Sequence, residues 1–161
     1  VSPDGRVSRF AKIHPFSFSG EDQNYSAGSD FLRLDIDGVR CTFFVCYDLR
    51  FADEFWVNAA DTDLYVIVAN WPGTRRLHWQ TLLRARAIEN QAYVLGVNRV
   101  GLDRNEGEAN RLEYTGDSVL HDPLGETLAS AASAETLVIG EVDPATVASV
   151  RARFPFQADR R

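Results

Sequence analysis

Phe43-Phe44-Val45-Cys46-Tyr47-Asp48-Leu49-Arg50-Phe51-Ala52 sets the architecture of this chain: an apolar run breaks at Cys46 into a polar turn, and a helical pattern begins at Ala52. A nucleophile at such a strand-to-helix corner stands clear of the sheet while its backbone is held on both sides. Upstream, residues 31–36 and 39–45 are apolar or β-branched runs separated by Asp37-Gly38, the strongest short hairpin signal. The pattern predicts an antiparallel pair that delivers Cys46. Downstream, Ala52, Phe55, Trp56 and Ala59 recur at i, i+3, i+4 and i+7, one face of an amphipathic helix. Residues 64–69 then form an unbroken apolar run, as expected of a central strand covered on both faces.

Asn70-Trp71-Pro72-Gly73 repeats the strand-then-turn pattern 24 residues after Cys46. It predicts a second helix with Thr74 as N-cap, running to about Asn90, with Leu77, Leu82, Leu83 and Ile88 available for burial. Residues 92–98 read as a further buried strand. Strands alternating with helices through short connections imply parallel pairing and an α/β core. Residues 101–111, polar and rich in glycine and charge, read as an exposed loop. Two short strands, 116–121 and 126–131, flank Asp122-Pro123-Leu124-Gly125, which fits a type I turn. Residues 136–142 read as another strand, and Asp143-Pro144 supplies an N-cap and a first-turn proline for a last helix to about Arg153.

A chain of 161 residues with 45% hydrophobic residues is long enough to bury one sizeable core, so a single domain is expected. The net charge of −6 and the lack of any basic stripe argue against nucleic acid or an anionic membrane as partner. No apolar run approaches the roughly 18 to 20 residues of a membrane span, and a soluble, cytoplasmic protein is predicted. Cys41 and Cys46 lie on one strand with Cα atoms about 16 Å apart on opposite faces, beyond disulfide reach, and read as free thiols. These cysteines and His14, His78 and His121 show no metal-ligand spacing, so no structural metal is expected. The chain opens on Val1 and contains no methionine, which predicts missing upstream polypeptide.

At neutral pH a cysteine is only a few per cent thiolate, so a catalytic one needs a neighbouring base or cation. Lys12 sits in Phe10-Ala11-Lys12-Ile13-His14-Pro15-Phe16, where period-two alternation puts Lys12 and His14 on one face and Ile13 on the other. Such a lysine either donates to a developing oxyanion or faces solvent on an edge. Cys46 is likewise either a nucleophile or a plain buried thiol.

Lys12-Ile-His-Pro-Phe16, Gly20-Glu21, Tyr25-Ser-Ala-Gly28, Val45-Cys-Tyr-Asp-Leu-Arg-Phe51, Asn70-Trp-Pro-Gly73, Arg84-Ala-Arg-Ala-Ile-Glu-Asn-Gln91, Asn98-Arg-Val-Gly101 and Gly116-Asp-Ser-Val-Leu-His-Asp-Pro-Leu-Gly-Glu126 occur in one order along nearly the whole chain. Together they resemble the successive blocks of the nitrilase, or carbon-nitrogen hydrolase, superfamily, and the Cys46 block most resembles its omega-amidase branch. The resemblance implies Cys46 as the nucleophile and Lys12, 34 residues earlier, as the stabiliser of the tetrahedral intermediate, with the Tyr47 backbone N–H as second oxyanion donor. It also implies Glu21 as an auxiliary glutamate that positions the lysine or the substrate. The family's general-base glutamate lies upstream of the lysine, and no residue here matches it. The family fold is a four-layer α-β-β-α sandwich, so the chain is expected to be a carbon-nitrogen hydrolase domain incomplete at its N-terminus.

Three readings follow. The first is an amidase of this family acting on a small-molecule amide, with an omega-amide of a dicarboxylic acid as candidate substrate. Trp71 is then a pocket wall and Arg50 an anion anchor, unless Arg50 pairs structurally with Asp48 or Asp53. The second makes Cys46 and His14 a thiol–imidazole pair. The third is a non-catalytic partner-binding domain with an inert cysteine. An activated thiol predicts faster alkylation than an ordinary one. The helix bearing Phe55 and Trp56, together with the family habit of pairing, points to a homodimer.

Overall fold

The computed structural model describes residues 1–103 and 112–160. Its centre is a six-stranded sheet in the order β1-β2-β3-β4-β7-β8, built from β1 (Leu32–Ile36), β2 (Val39–Val45), β3 (Leu64–Ala69), β4 (Tyr93–Asn98), β7 (Ser118–His121) and β8 (Thr127–Ala131). The Asp37-Gly38 turn forms as expected, with both residues in the left-handed region at φ 51° and 85°, and β1 pairs antiparallel with β2. β2, β3 and β4 are parallel, so β3 is central. β4, β7 and β8 are antiparallel, and the Gly125 N–H closes the turn between the last two on Asp122 O at 2.9 Å.

Strand alternation gives the sheet two faces. Phe44, Tyr65, Ile67, Val94 and Val119 point toward α1 (Ala52–Asn58) and α2 (Arg76–Asn90), where they pack with Phe55, Trp79, Leu83 and Ala87. Burying each of the large side chains contributes about 1.5–3 kcal/mol. Trp79 and Leu83 come so close to β4 that a Cβ at Gly96 would collide with Leu83 and reach within 2.9 Å of Trp79. That niche sets the rotation of α2. Leu77 and Ile88, expected inside, are therefore 73% and 47% exposed, and the buried stripe is Trp79, Leu83 and Ala87. The helix also starts later than Thr74: Gly73–Arg75 is a 3-10 turn, shaped by the Trp71 Nε1–H donating to Arg75 O at 2.8 Å.

The opposite face is covered only in part. Tyr93 and Leu120 pack there against Val147 of α3 (Pro144–Arg153), whose Asp143 cap accepts the Ala145 N–H at 2.8 Å. Beyond α3 the apolar face lies open, with Ile36, Val68 and Val97 each more than 40% exposed. Residues 136–142, expected as a strand, have no ladder among the described residues. They run over this face with Gly140 against Leu120 and with Leu137 and Ile139 turned outward. In the expected loop 101–111, Gly101 and Leu102 instead belong to β5 (Val100–Leu102), which pairs with β6 (Glu113–Thr115), while residues 104–111 lie outside the described residues.

At the rim where β3 and β4 begin, Arg40 is ion-paired with Asp63 at 2.7 Å. Arg151 of α3 donates to Thr62 O and Gln91 O at 2.7 and 3.2 Å, tying the end of α2 to the start of β3. Among the described residues no helix is long and apolar enough to cross a membrane.

The Gly96 niche is testable. Gly96→Ala lowers stability by about 1–3 kcal/mol through overpacking, seen as a lower urea midpoint at unchanged slope. An unchanged midpoint refutes the close approach of Trp79.

Candidate functional site

Because β2, β3 and β4 run parallel, the residues that end them, Cys46, Asn70 and Asn98, gather at one rim of the sheet. The carboxyl ends of parallel strands are where α/β proteins bind ligands. Cys46 begins a 3-10 helix, Cys46–Arg50, with its own backbone at φ 48°, the left-handed region that a side chain seldom adopts. That twist lifts the residue out of the pleat. The turn is fixed from beneath by Asp48, fully buried, whose Oδ2 accepts the Val45 N–H at 3.1 Å.

Cys46 lines a small pocket of about 50 Å³. Tyr47 and Arg50 come from its own turn, Asn70, Trp71, Pro72 and Arg75 from the loop after β3, and Phe16 from the segment that carries Lys12. Asn98 holds the second loop: its Oδ1 accepts the Trp71 N–H at 2.7 Å, and its Nδ2 donates to Trp71 O and Gly116 O at 3.0 and 2.8 Å. The Arg50 guanidinium stacks on the Trp71 ring at 4.8 Å, and Arg75 lies over Phe16 at 5.6 Å. Larger hollows of about 710 and 990 Å³ lie beside α2 and over the open sheet face. Neither contains Cys46.

Lys12 is not a solvent-facing lysine. Its side chain is 13% exposed and its Nζ donates to Glu21 Oε2 at 2.5 Å. The same Glu21 oxygen accepts the Phe16 N–H at 2.6 Å. Burial pushes the Glu21 carboxyl up, but Lys12 and the Phe16 N–H together hold it below its ordinary value. Ile13 points the other way, into the core, as period two requires. The Lys12 carbonyl accepts the Gly28 N–H at 2.8 Å, a contact that only glycine permits because a Cβ at residue 28 would run into the Ala11 carbonyl.

The Cys46 thiol is held above its ordinary pKa, first by burial. The Lys12 charge and a hydrogen bond from the Asn70 backbone N–H pull it down without reversing that, and Glu21 and Asp48 add to the rise. The thiol thus senses Lys12, but burial dominates and the net direction is upward. Desolvation outweighs one ammonium. Cys41 is simply buried, its thiol pushed up to about 11.

Of the residues singled out in the sequence, Cys46, Tyr47, Arg50 and Trp71 share the pocket, while Lys12 and Glu21 form the adjoining ion pair. Arg50 meets Trp71 and the His78 Nδ1, at 3.2 Å, rather than Asp48 or Asp53. Asp48 is occupied by Val45 and by His14, whose backbone N–H and Nδ1 lie 2.8 and 3.2 Å from Oδ1. The other ring nitrogen of His14 faces Glu54 at 3.6 Å. Sequence reading missed Asp48 as a structural acceptor, Arg75 at the pocket mouth and the Asn70 N–H at the sulfur. No periodicity marks any of them. Among the described residues no group of three or more His, Cys, Asp and Glu side chains is arranged to hold a metal ion.

Residues 1–152 match the carbon-nitrogen hydrolase family model. The chain is 46% identical over 157 residues to omega-amidase YafV of Yersinia enterocolitica, covering 96% of this chain and 59% of that protein. It is 35% identical over 158 residues to the 2-oxoglutaramate amidase of Bacillus subtilis, covering 96% of this chain and 58% of that protein. Among solved structures, XC1258 of Xanthomonas campestris, a carbon-nitrogen hydrolase superfamily protein with an arsenic adduct in its active site, superposes with a TM-score of 0.89. The two share 40% sequence identity over 99% of this chain and 61% of that one. The chain therefore spans about three-fifths of the length of these relatives. With one ordered series of blocks, one α/β sheet and one family model agreeing from end to end, this chain belongs to the carbon-nitrogen hydrolase family.

Proposed function

We propose that this chain carries the thiol side of a small-molecule amidase site, with an omega-amide of a dicarboxylic acid as substrate. The observation that carries the reading is a sharply turned, pocket-lining thiol that senses the charge of a half-buried Lys12–Glu21 pair. Burial favours the protonated thiol. A base must take its proton as it attacks.

Cys46 Sγ adds to the amide carbon while a glutamate removes the thiol proton, and Lys12 with the Tyr47 N–H holds the oxyanion. Collapse expels ammonia, protonated by the same glutamate, and leaves a thioester. Water, deprotonated by that glutamate, then attacks the thioester and releases the acid and the free thiol. Glu21 fixes the Lys12 ammonium without consuming its charge, because a carboxylate held below its ordinary pKa stays ionised. In this reading Arg50 receives the substrate's distal carboxylate, supported by its stack on Trp71 at the pocket. The names of the relatives, omega-amidase and 2-oxoglutaramate amidase, support an amide that carries a carboxylate. No cofactor enters these steps.

No residue here matches the family's general-base glutamate, and the sheet face at Ile36, Val68 and Val97 lies open among the described residues. The domain is thus the larger part of one carbon-nitrogen hydrolase unit, of the four-layer sandwich kind, and we infer that it works as a homodimer in the cytoplasm, where its free thiols stay reduced. The thiol–imidazole reading loses ground because both ring nitrogens of His14 are directed at carboxylates.

Activity of the complete protein tests the reading. It should release ammonia from an omega-amide of a dicarboxylic acid, Cys46→Ala should remove turnover, and Lys12→Ala should cost on the order of 10³-fold in kcat. Full activity of Lys12→Ala sinks the mechanism. Arg50→Gln should raise KM for the carboxylate-bearing amide about tenfold or more while leaving KM for an uncharged amide of the same length unchanged. In this chain, the rate of Cys46 alkylation by iodoacetamide should keep rising through pH 9, since the thiol titrates above its ordinary 9.0. A plateau already reached near neutrality supports a thiolate–imidazolium pair instead.

A further inference from the structure

The chemistry proposed for Cys46 and Lys12 requires the two to keep a fixed separation, yet they share no ladder: Cys46 follows β2, and Lys12 lies in irregular backbone. Besides the Phe16–Tyr47 ring contact at 4.8 Å, a buried carboxylate joins their segments. Asp48 Oδ1 accepts the His14 backbone N–H at 2.8 Å and lies 3.2 Å from His14 Nδ1, while Oδ2 accepts the Val45 N–H at 3.1 Å. Asp48 therefore grips the residue just before the nucleophile and the residue two beyond the lysine.

The His14 ring completes the grip. It stacks flat on Phe51, at 3.6 Å and 9° between planes, with Nε2 3.6 Å from Glu54 at the start of α1. Glu21 performs the matching task on the next outward residue, accepting both the Lys12 ammonium and the Phe16 N–H. Alternate residues of the segment, at 12, 14 and 16, are thus anchored by two carboxylates. Neither Asp48 nor His14 has a part in the proton or acyl transfers above.

We propose that Asp48 and His14 form a positioning clamp that sets the Lys12 ammonium against Cys46 during turnover, neither side chain touching the substrate. The inference rests on the amidase reading of Cys46 and Lys12. Oxyanion donors act only within a few tenths of an ångström of their place, and a misplacement of about 1 Å costs on the order of 10²-fold. Loosening the clamp therefore weakens the transition state more than the bound substrate, so the loss falls on kcat.

The test is a double-mutant cycle on the complete protein, with kcat and KM for an omega-amide measured separately and thermal unfolding followed in parallel. Asp48→Asn should lower kcat about 10²-fold and His14→Ala about tenfold, with KM within about threefold of wild type. His14→Asn should recover most of the His14→Ala loss, because the Asn Nδ2 donates from the place of the imidazole Nδ1. In a Lys12→Ala background, Asp48→Asn should cost less than about threefold further, since the group it positions is gone. Wild-type kcat in folded Asp48→Asn or His14→Ala, or equal losses with and without Lys12, overturns the clamp. Should Asp48→Asn fail to fold, the His14→Ala and His14→Asn pair decides the question. Lys12→Ala with undiminished kcat removes the amidase reading itself, an outcome distinct from failure of the clamp alone.

Discussion

The left-handed backbone at Cys46 is the constraint on which the site depends. A parallel strand that ended in ordinary extended geometry would leave its last side chain in the pleat, packed against α1 or the open face. At φ 48° the chain turns instead into the 3-10 helix Cys46–Arg50, and the sulfur meets the pocket formed with the loop after β3. Such a conformation costs on the order of 1–3 kcal/mol and persists only where the surroundings over-determine it. Here the surroundings are identifiable: Asp48 caps the Val45 N–H from below, and the buried Arg86 donates to Leu49 O at 2.8 Å from α2.

The electrostatics follow from the same depth. Burial that shapes the pocket also holds the proton on Cys46, and the nearby Lys12 only partly offsets it. Depth of this kind favours the neutral thiol over the thiolate. The arrangement differs from a thiolate–imidazolium site, where the charge is present before substrate arrives. The Lys12–Glu21 pair belongs to the same economy of charge: the lysine is desolvated but never unpaired.

Much of the architecture was legible because local rules and tertiary packing agree. Asp37-Gly38 made its hairpin, Asp143-Pro144 capped α3, and the unbroken apolar run of β3 lies at the sheet's centre. The misses have physical causes. α2 was rotated away from Leu77 and Ile88 by the fit of Trp79 and Leu83 over Gly96, a relation between elements that no helical periodicity contains. Residues 136–142 have strand composition but no ladder partner among the described residues, and composition cannot supply one. At the site, Cys46 stood out from its corner and Lys12 from its alternation, but the chemistry came into view through the ordered blocks. Asp48 was invisible as an anchor because its partners, His14 and Val45, are linked to it through backbone amides.

The two rims of the sheet carry different duties. At the far rim Arg40 pairs with Asp63, and Arg151 ties α3 to the loops at Thr62 and Gln91. The reactive rim is held by a few side-chain-to-backbone anchors, Asp48 and Asn98 chief among them. Trp71 belongs to both duties, its ring lining the Cys46 pocket while it packs in the core beside Trp79, so a change there reaches the fold as well as the pocket.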